Sequence, residues 1–484
     1  MIYSHPEFFM LFTVCLTLTL LCPWYTLRLW ILLLTSLFFY AWAGTLDTLL
    51  FLLVVLVSWL AIFFANKYPR HRRAFLFLGV LAMTFHLLFW KYGSWIVGQI
   101  QVLFPDFLGG KQLELPLPVG ISFFTLQGIA YLVDFGRDEA QFIPLREYFL
   151  FKSFFAQLVA GPIVRAKQLV PQLLKLPRPT SEDLLMGFSS IGLGFFKKVA
   201  IADRIGPFVD SVFAEPQVFS RGVLFQALLG YSVQIWADFS GYVDMGRGAA
   251  RCLGIHLPEN FLSPYLAQSP SEFWRRWHIT LSEWVRDYIY IPLGGNNGSR
   301  LKSTLVLLLT FGISGLWHGA AWTFILWGFY HGTLLALERM LQPSPQRETH
   351  TLQLQSLLRG CFMFFLTLIG WLIFRAQNMD RLLIFVRSFI SNAPMKPIPD
   401  GGSEVILGLV ITFLLQAVLY YDFQSQRYPV LDGIRKRSHG LIPRRAEFSI
   451  VYGLTYGIAL SGLFALSLLL RNSDTSNAFI YFKF

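Results

Sequence analysis

Two histidine-centred segments hold the side chains best suited to chemistry. In the first, Gly312-Ile-Ser-Gly-Leu-Trp-His-Gly-Ala-Ala-Trp322 brackets His318 with glycines and tryptophans inside a strongly apolar region. A buried imidazole there is either a structural group bonded to a backbone carbonyl or, since ionisable residues at membrane depth are functional candidates, a reactive one. Flanking glycines allow close approach of a backbone or substrate, and Trp317 can wall a dry pocket. His318 is thus a candidate proton acceptor.

The second segment runs from Phe273 to Tyr288 and is predicted to be one helix of about 22 Å. Trp and Leu residues at helical spacing form its apolar face. Its polar face carries Arg275, His278, Ser282 and Arg286. The helix is too short and too charged to span a bilayer, so it lies at the interface or re-enters the protein. His278 is then either a solvated residue beside Trp anchors or part of a site.

A carboxylate in a neighbouring apolar segment completes the set of candidates. Gln234 and Asp238 are one helical turn apart on one face. Asp238 is either a helix-packing partner or the group that orients an imidazole. His331 lies thirteen positions after His318, well off its face of an ideal helix, and we predict a structural role for it.

The elements that position these residues must be membrane helices. The 484 residues are 55% hydrophobic and only 14% charged, with a mean hydropathy of +0.52, which exceeds what a soluble core can hide. Apolar runs recur from Phe8 to Leu470 without a long polar stretch. We therefore predict an all-α, polytopic integral membrane protein, with one membrane-embedded domain over 1–484. Roughly 11 or 12 transmembrane helices are expected, plus short re-entrant or interfacial helices, around a central funnel or tunnel.

The predicted spans differ in how strongly they are interrupted. Uninterrupted apolar spans are expected near 8–25, 27–43, 46–66, 74–90, 354–374, 403–421 and 448–470. Segments near 119–133, 147–163, 184–201 and 222–250 carry Gly, Pro or ionisable groups, and a pair near 301–314 and 316–337 is expected to be split by Gly312 and Gly315. Such interruptions are tolerated where backbone is buried in protein or lines a wet cavity. The first run lacks the basic start and cleavage site of a signal peptide, so we expect a retained span.

Charge and cysteine usage exclude several classes of function. The net charge of +12 comes from Lys and Arg in short loops, where membrane lipid head groups account for it, so nucleic acid is not an expected partner. The loops Lys67–Arg73 and Arg427–Arg445 should be cytoplasmic, which places the N-terminus outside. Four cysteines without a C-x-x-C indicate neither a disulfide framework nor a zinc site. P-loop, G-x-G-x-x-G and G-x-S-x-G motifs are also missing from the sequence.

These residues together resemble the membrane-bound O-acyltransferase (MBOAT) superfamily, and within it the branch that serves alginate O-acetylation. The similarity covers most of 38–332, with a motif-rich core at about 115–335. Its motifs are Phe38-Phe-Tyr-Ala-Trp42, Lys91-Tyr92, Leu117-Pro-Val-Gly-Ile-Ser-Phe-Phe124, Ala160-Gly-Pro-Ile-Val-Arg165, Asp238-Phe-Ser-Gly-Tyr242, Phe273 to His278, Arg286-Asp-Tyr288, Ile291-Pro-Leu-Gly-Gly-Asn296 and Leu316-Trp-His-Gly319. The last four are specific for the branch.

The resemblance implies catalytic roles for both histidines. His318 matches the catalytic histidine, and His278 matches the second polar position of the active site. His318 would act as general base on a hydroxyl attacking a thioester, while His278, with Arg275 or Arg276 behind it, would stabilise the oxyanion. Trp317, Ser282 and Asp238 are possible supporting residues. Neither a metal nor a tightly bound cofactor is expected.

The resemblance also implies substrates, partners and place. The acyl donor is expected to be cytoplasmic acetyl-CoA or another thioester, and the acceptor an exported polysaccharide such as alginate. Expected partners are an extracytoplasmic acetyltransferase or subunits of a glycan export complex, at the bacterial cytoplasmic (inner) membrane. Three alternatives remain open: D-alanyl transfer towards teichoic acid, a transporter using Asp238 and Asp244 as ion sites, and a non-enzymatic scaffold.

Overall fold

The computed structural model describes residues 1–159, 161–341, 354–391 and 401–427, with side chains described as far as Tyr420. Within these ranges all regular secondary structure is helical. The expected span at 448–470 and the basic loop that follows Arg427 lie outside the described residues.

Nineteen α-helices make up these ranges. They are α1 Pro6–Leu21, α2 Tyr25–Ala41, α3 Thr45–Lys67, α4 Arg72–Leu87, α5 Gly93–Leu103, α6 Ile121–Gly136, α7 Leu145–Ser153, α8 Phe155–Leu158, α9 Ala166–Lys175, α10 Ser181–Phe195, α11 Asp203–Ala214, α12 Arg221–Cys252, α13 Pro270–Arg276, α14 Ile279–Val285, α15 Arg300–His318, α16 Trp322–Leu341, α17 Leu354–Arg375, α18 Met379–Ser391 and α19 Gly402–Arg427. Wider π-helical turns join α4 to α5 at Leu88–Tyr92 and α10 to α11 at Phe196–Ala202, and a third extends α14 over Arg286–Tyr290.

Six helical stretches in the described residues are long and apolar enough to cross a membrane. They are Thr45–Lys67, Pro69–Leu103, Ser181–Ala214, Arg300–His318, Leu354–Arg375 and Gly402–Tyr420. Three shorter apolar helices, α1, α2 and α6, accompany them. This confirms the predicted class, an all-α polytopic membrane protein. The expected total of 11 or 12 spans and the central funnel stay predictions.

The expected split of the pair near 301–337 at Gly312 and Gly315 is wrong. Helix α15 runs through both glycines and ends at His318, and the chain turns at Gly319 before α16 begins. The reason is close packing between the two helices. A Cβ at Gly315 would lie 2.2 Å from the Phe324 carbonyl oxygen, and one at Gly328 would lie 2.1 Å from that of Phe311. Small residues that let backbones approach are typical of membrane helix pairs.

The described chain forms two compact units. The first comprises Met1–Ile191 with Tyr242–Pro258, and the second comprises Gly192–Gly241 with the described residues from Glu259 to Arg427. That the chain 1–484 is a single domain stays a prediction.

The first unit has an aromatic core in which buried hydroxyls bond to oxygen atoms nearby. Tyr148 donates to Ser58 Oγ at 2.8 Å, and Tyr40 donates to the Val119 carbonyl oxygen at 2.7 Å. Such internal bonds are required where water is excluded. Both histidines of interest lie in the second unit.

Candidate active site

A backbone bend places His278. The sequence Ser269-Pro-Ser-Glu starts α13, where the Ser269 side chain accepts from the Glu272 N–H. Helix α13 ends at Arg276, and α14 starts at Ile279, so the predicted single helix from Phe273 to Tyr288 is wrong. Between them His278 adopts φ +43°, a left-handed conformation that is uncommon for a non-glycine residue and costs about 1–3 kcal/mol.

A neighbouring non-helical segment, residues 260–262, stabilises this bend through hydrogen bonds. The Leu262 N–H donates to the Arg276 carbonyl at 2.9 Å, and the Ile279 N–H donates to the Asn260 carbonyl at 3.0 Å. The Asn260 side chain adds to these bonds, since its Oδ1 accepts from the Thr280 N–H at 3.2 Å and the Thr280 hydroxyl at 2.9 Å. Tertiary hydrogen bonds therefore stabilise the break between α13 and α14, which the helical spacing of the apolar residues does not reveal.

His278 is fully buried and bonds to the same amide oxygen. Its Nδ1 lies 3.2 Å from Asn260 Oδ1, and the Phe239 ring packs against the imidazole at 4.9 Å between centroids. His278 lies outside the helical stretches long enough to span a membrane, and burial lowers its pKa to about 3. The imidazole is therefore neutral at physiological pH.

His318 lies in the same aromatic cluster as His278. Both imidazoles pack against Trp317, with ring centroids at 6.2 Å for His278 and 4.9 Å for His318. His318 also contacts Trp327 at 4.9 Å and Phe374 at 5.2 Å, and its side chain is 4% exposed. The structure thus brings together, around Trp317, the two histidines predicted from separate segments.

Trp327 links His318 to His331, for which the sequence predicted a structural role. The Trp327 ring lies 4.9 Å from the His331 ring, which also stacks on Phe273 at 6.0 Å. Close packing fixes His331 further, because a Cβ at Gly370 would lie 2.7 Å from its Nε2. These contacts fit a structural role.

The indole N–H groups of Trp327 and Trp274 in this cluster are buried without a hydrogen-bond acceptor in the described part of the chain. Trp327 is 0% exposed and Trp274 is 8% exposed. A buried donor left unpaired costs about 1–3 kcal/mol, so such groups call for an explanation in a substrate or water.

Asp238 pairs with a lysine that the sequence analysis had not singled out. Its Oδ1 lies 2.7 Å from Lys198 Nζ, which also lies 2.8 Å from Asp203 Oδ1. Gly241 permits this approach, because a Cβ there would lie 2.7 Å from the Gly194 carbonyl oxygen. The helix-packing interpretation of Asp238 is therefore the one that the contacts favour, and for His278 Nδ1 the oxygen partner is Asn260.

The three other supporting candidates are engaged in local contacts. Arg276 is buried and ion-paired with Glu272 at 2.5 Å, which neutralises its charge, and its guanidinium lies 4.7 Å from the Tyr420 ring. Arg275 is exposed and donates to Ser271 Oγ at 3.4 Å. Ser282 Oγ donates to the Trp277 carbonyl at 3.4 Å, across the bend. These contacts do not support the expected positive potential behind His278.

Asn260, Lys198 and Trp327 are the residues that sequence reasoning missed. Lys198 carried a signal, since Lys197 and Lys198 are ionisable residues within an apolar segment. Asn260 carried none, because its partners lie 18 to 20 positions away and become neighbours only through the bend. Among the described residues no group of three His, Cys, Asp or Glu side chains is arranged to hold a metal ion.

Comparison with known proteins places this fold and site in a class. Residues 121–375 match the model of the MBOAT, membrane-bound O-acyltransferase family, and the chain belongs to that family. It is thus an O-acyltransferase of the membrane, and the matched region contains both histidines and the residues that pack around them.

Three relatives whose names state an activity are similar to this chain. A probable alginate O-acetylase AlgI of Azotobacter vinelandii is 34% identical over 480 residues, covering 94% of each chain. A peptidoglycan O-acetyltransferase of Helicobacter pylori is 36% identical, covering 81% of this chain and 80% of its own. A teichoic acid D-alanyltransferase of Bacillus subtilis is 30% identical over 45% of this chain and 58% of its own.

Proposed function

We propose that this protein transfers an acetyl group from a cytoplasmic thioester, such as acetyl-CoA, for O-acetylation of an exported polysaccharide such as alginate. The observation that carries the proposal is the pairing of buried His318 and His278 around Trp317 in an O-acyltransferase chain. The full-length similarity to a probable alginate O-acetylase supports acetyl as the group transferred. The D-alanyltransferase similarity covers less than half of the chain and supports the alternative less well.

His318 is the general base of this proposal. A hydroxyl is a weak nucleophile at neutral pH, so a neutral imidazole takes its proton as the oxygen attacks the thioester carbonyl carbon. The new C–O bond forms while the carbonyl electron pair moves to oxygen. When the oxyanion collapses, the C–S bond breaks and the thiolate takes the proton from the His318 imidazolium, giving an ester and a free thiol.

The oxyanion in this step needs hydrogen-bond donors in a dry site. A neutral His278 whose Nδ1 faces an amide oxygen is poorly placed to donate from Nε2. The Trp327 indole N–H beside His318 is the better candidate, because it is buried and, within the described residues, lacks an acceptor.

The place and partners of the reaction follow from the proposed substrates. A cytoplasmic thioester and an exported acceptor meet at the bacterial cytoplasmic membrane. The acetyl group then passes to the polysaccharide directly or through an extracytoplasmic acetyltransferase or glycan export complex. Acetyl-CoA is consumed as a substrate in this scheme, without a tightly bound cofactor.

The test is the acetyl content of exported polysaccharide in cells with each variant at matched membrane abundance. We expect His318→Gln to abolish acetylation, since a general base contributes about 10²- to 10⁴-fold and a neutral replacement removes no paired charge. Trp327→Phe should reduce it by about 10²-fold, and Trp274→Phe is the matched control because it also removes a buried indole N–H. Normal acetylation with His318→Gln would exclude the catalytic assignment and favour a scaffold.

A further inference from the structure

Asn260 is a fully buried residue in the segment that precedes α13. We propose that Asn260 is a positioning residue that fixes His278 in the tautomer with a proton on Nδ1 and a lone pair on Nε2. The inference deepens the proposed function, on which it rests, by defining what His278 offers a substrate.

The chemistry of the Asn260 side chain fixes its orientation first. The terminal oxygen and nitrogen of an asparagine are hard to distinguish by shape, but their partners identify them. The Thr280 backbone N–H can only donate, and it points at the atom assigned as Oδ1, 3.2 Å away. That atom must therefore be the acceptor oxygen.

The tautomer of His278 follows from this assignment. Nδ1 of His278 lies 3.2 Å from the same Oδ1, which is an acceptor, so Nδ1 must carry the hydrogen. The imidazole is fully buried, and burial disfavours its charged form and lowers its pKa to about 3, so it stays neutral. A neutral imidazole has one N–H, and Nε2 is left with its lone pair.

The backbone contacts of Asn260 show that the bond is part of a built site. Its carbonyl oxygen accepts from the Ile279 N–H at 3.0 Å, directly after the left-handed His278. Asn260 thus bonds both to the backbone of the bend, through its carbonyl oxygen, and to the His278 ring, through its side-chain oxygen. Orientation of a functional imidazole through its second nitrogen is how proteins select a tautomer.

The consequence is a change of role for His278. With a lone pair on Nε2, it accepts a hydrogen bond or proton from a hydroxyl of the acceptor substrate. Stabilisation of the oxyanion is left to other donors. His278 and His318 then both accept protons or hydrogen bonds, and a buried amide sets the tautomer of His278.

The direct test is ¹⁵N NMR of the full-length protein in lipid bilayers, labelled at its nine histidines. The His278 signals are identified by their loss in His278→Asn. We expect Nδ1 to be protonated and Nε2 unprotonated near pH 7. In Asn260→Leu this preference should be lost, whereas Thr280→Val, which removes only a hydroxyl that bonds to the amide, should retain it. A His278 signal with hydrogen on Nε2 would overturn the proposal.

Asn260→Asp provides a variant that keeps the shape of the side chain. Among the described residues Asn260 Nδ2 has no hydrogen-bond partner, so its replacement by oxygen breaks no bond there. A carboxylate at this position favours the imidazolium, so the protonation midpoint of His278 should rise by about one unit or more in the NMR titration. An unchanged titration would also count against the proposal.

Measuring polysaccharide acetylation in these variants distinguishes a failure of the Asn260 proposal from a failure of the proposed function. At matched membrane abundance we expect Asn260→Leu to lower acetyl content by about 10-fold or more, and Thr280→Val to change it by less than about two-fold. If His318→Gln is inactive while Asn260→Leu acetylates normally, the inference fails and the proposed function stands. If His318→Gln is active, the proposed function fails whatever the NMR shows.

Discussion

At the residue scale, a lysine and two carboxylates show how charge is compensated inside this apolar protein. The Lys198 ammonium group lies 2.8 Å from an oxygen of Asp203 and 2.7 Å from an oxygen of Asp238. Taking an unpaired charge out of water is costly, and removing one member of a buried pair costs about 3–5 kcal/mol because its partner is left uncompensated. Asp238 therefore has a structural role, as a partner of Lys198, that does not depend on any imidazole.

Lys198→Met should lower the free energy of unfolding of the purified protein by about 3–5 kcal/mol. Lys167→Met should change it by less than about 1 kcal/mol. The control lysine pairs with Glu139 at 3.5 Å, but both side chains are about half exposed. The double variant Lys198→Met with Asp238→Asn should be less destabilised than the sum of its parts. The measurement is the unfolding temperature in detergent.

The same double variant decides between the two interpretations of Asp238. If the carboxylate only packs helices, acetyl transfer per folded molecule should stay near the wild-type value. Full abundance with lost acetylation would instead indicate that Asp238 orients a histidine.

At the element scale, the α15–α16 hairpin positions His318 through glycine contacts. Gly315→Ala would place a methyl group 2.2 Å from the Phe324 carbonyl, so the helices must separate. We expect a loss of about 1–3 kcal/mol in stability and lower acetylation. Gly360→Ala in α17 is the control, because a Cβ there meets nothing within 4 Å and alanine favours a helix. Equal thermal stability of the two variants would contradict this role of Gly315.

The ends of long membrane helices can be predicted from the sequence, whereas breaks and close contacts between helices cannot. Spans such as α3 and α17 follow directly from long apolar runs, and the structure places their ends close to the predicted positions. The break at His278 was missed because the helical spacing of Trp274, Trp277 and Leu281 continues through it. Gly312 and Gly315 predict breaks from the sequence alone, because a glycine that weakens an isolated helix cannot be distinguished there from one that lets two helices approach.

At the scale of the whole molecule, orientation in the membrane is the property that connects donor to acceptor. The loop Lys67–Arg73 is predicted to be cytoplasmic because its basic residues cluster where α3 ends and α4 begins. A cysteine at Arg70 should therefore be protected from an impermeant thiol reagent applied outside intact cells. One at Lys111, after the next span, should react.

The labelling background is Cys361→Ala, because Cys361 is the exposed cysteine among the four native ones. Labelling at Arg70 without cell lysis would reverse the predicted topology, and with it the cytoplasmic origin of the donor.

The histidine site is less predictable from the sequence than the membrane topology. Only the folded chain brings Asn260, His278 and Trp317 together, since they come from three separate segments.

His318 is the last residue of α15, a helix of 19 residues that ends at Gly319. The aligned peptide dipoles of a helix leave roughly half an elementary negative charge at its carboxyl end, which favours a nearby cation by about 0.3–2 kcal/mol. A proton that arrives on His318, which is 4% exposed, therefore lies at the negative end of α15. The last turn of this helix, and not only the ring it carries, therefore favours a positive charge at this position.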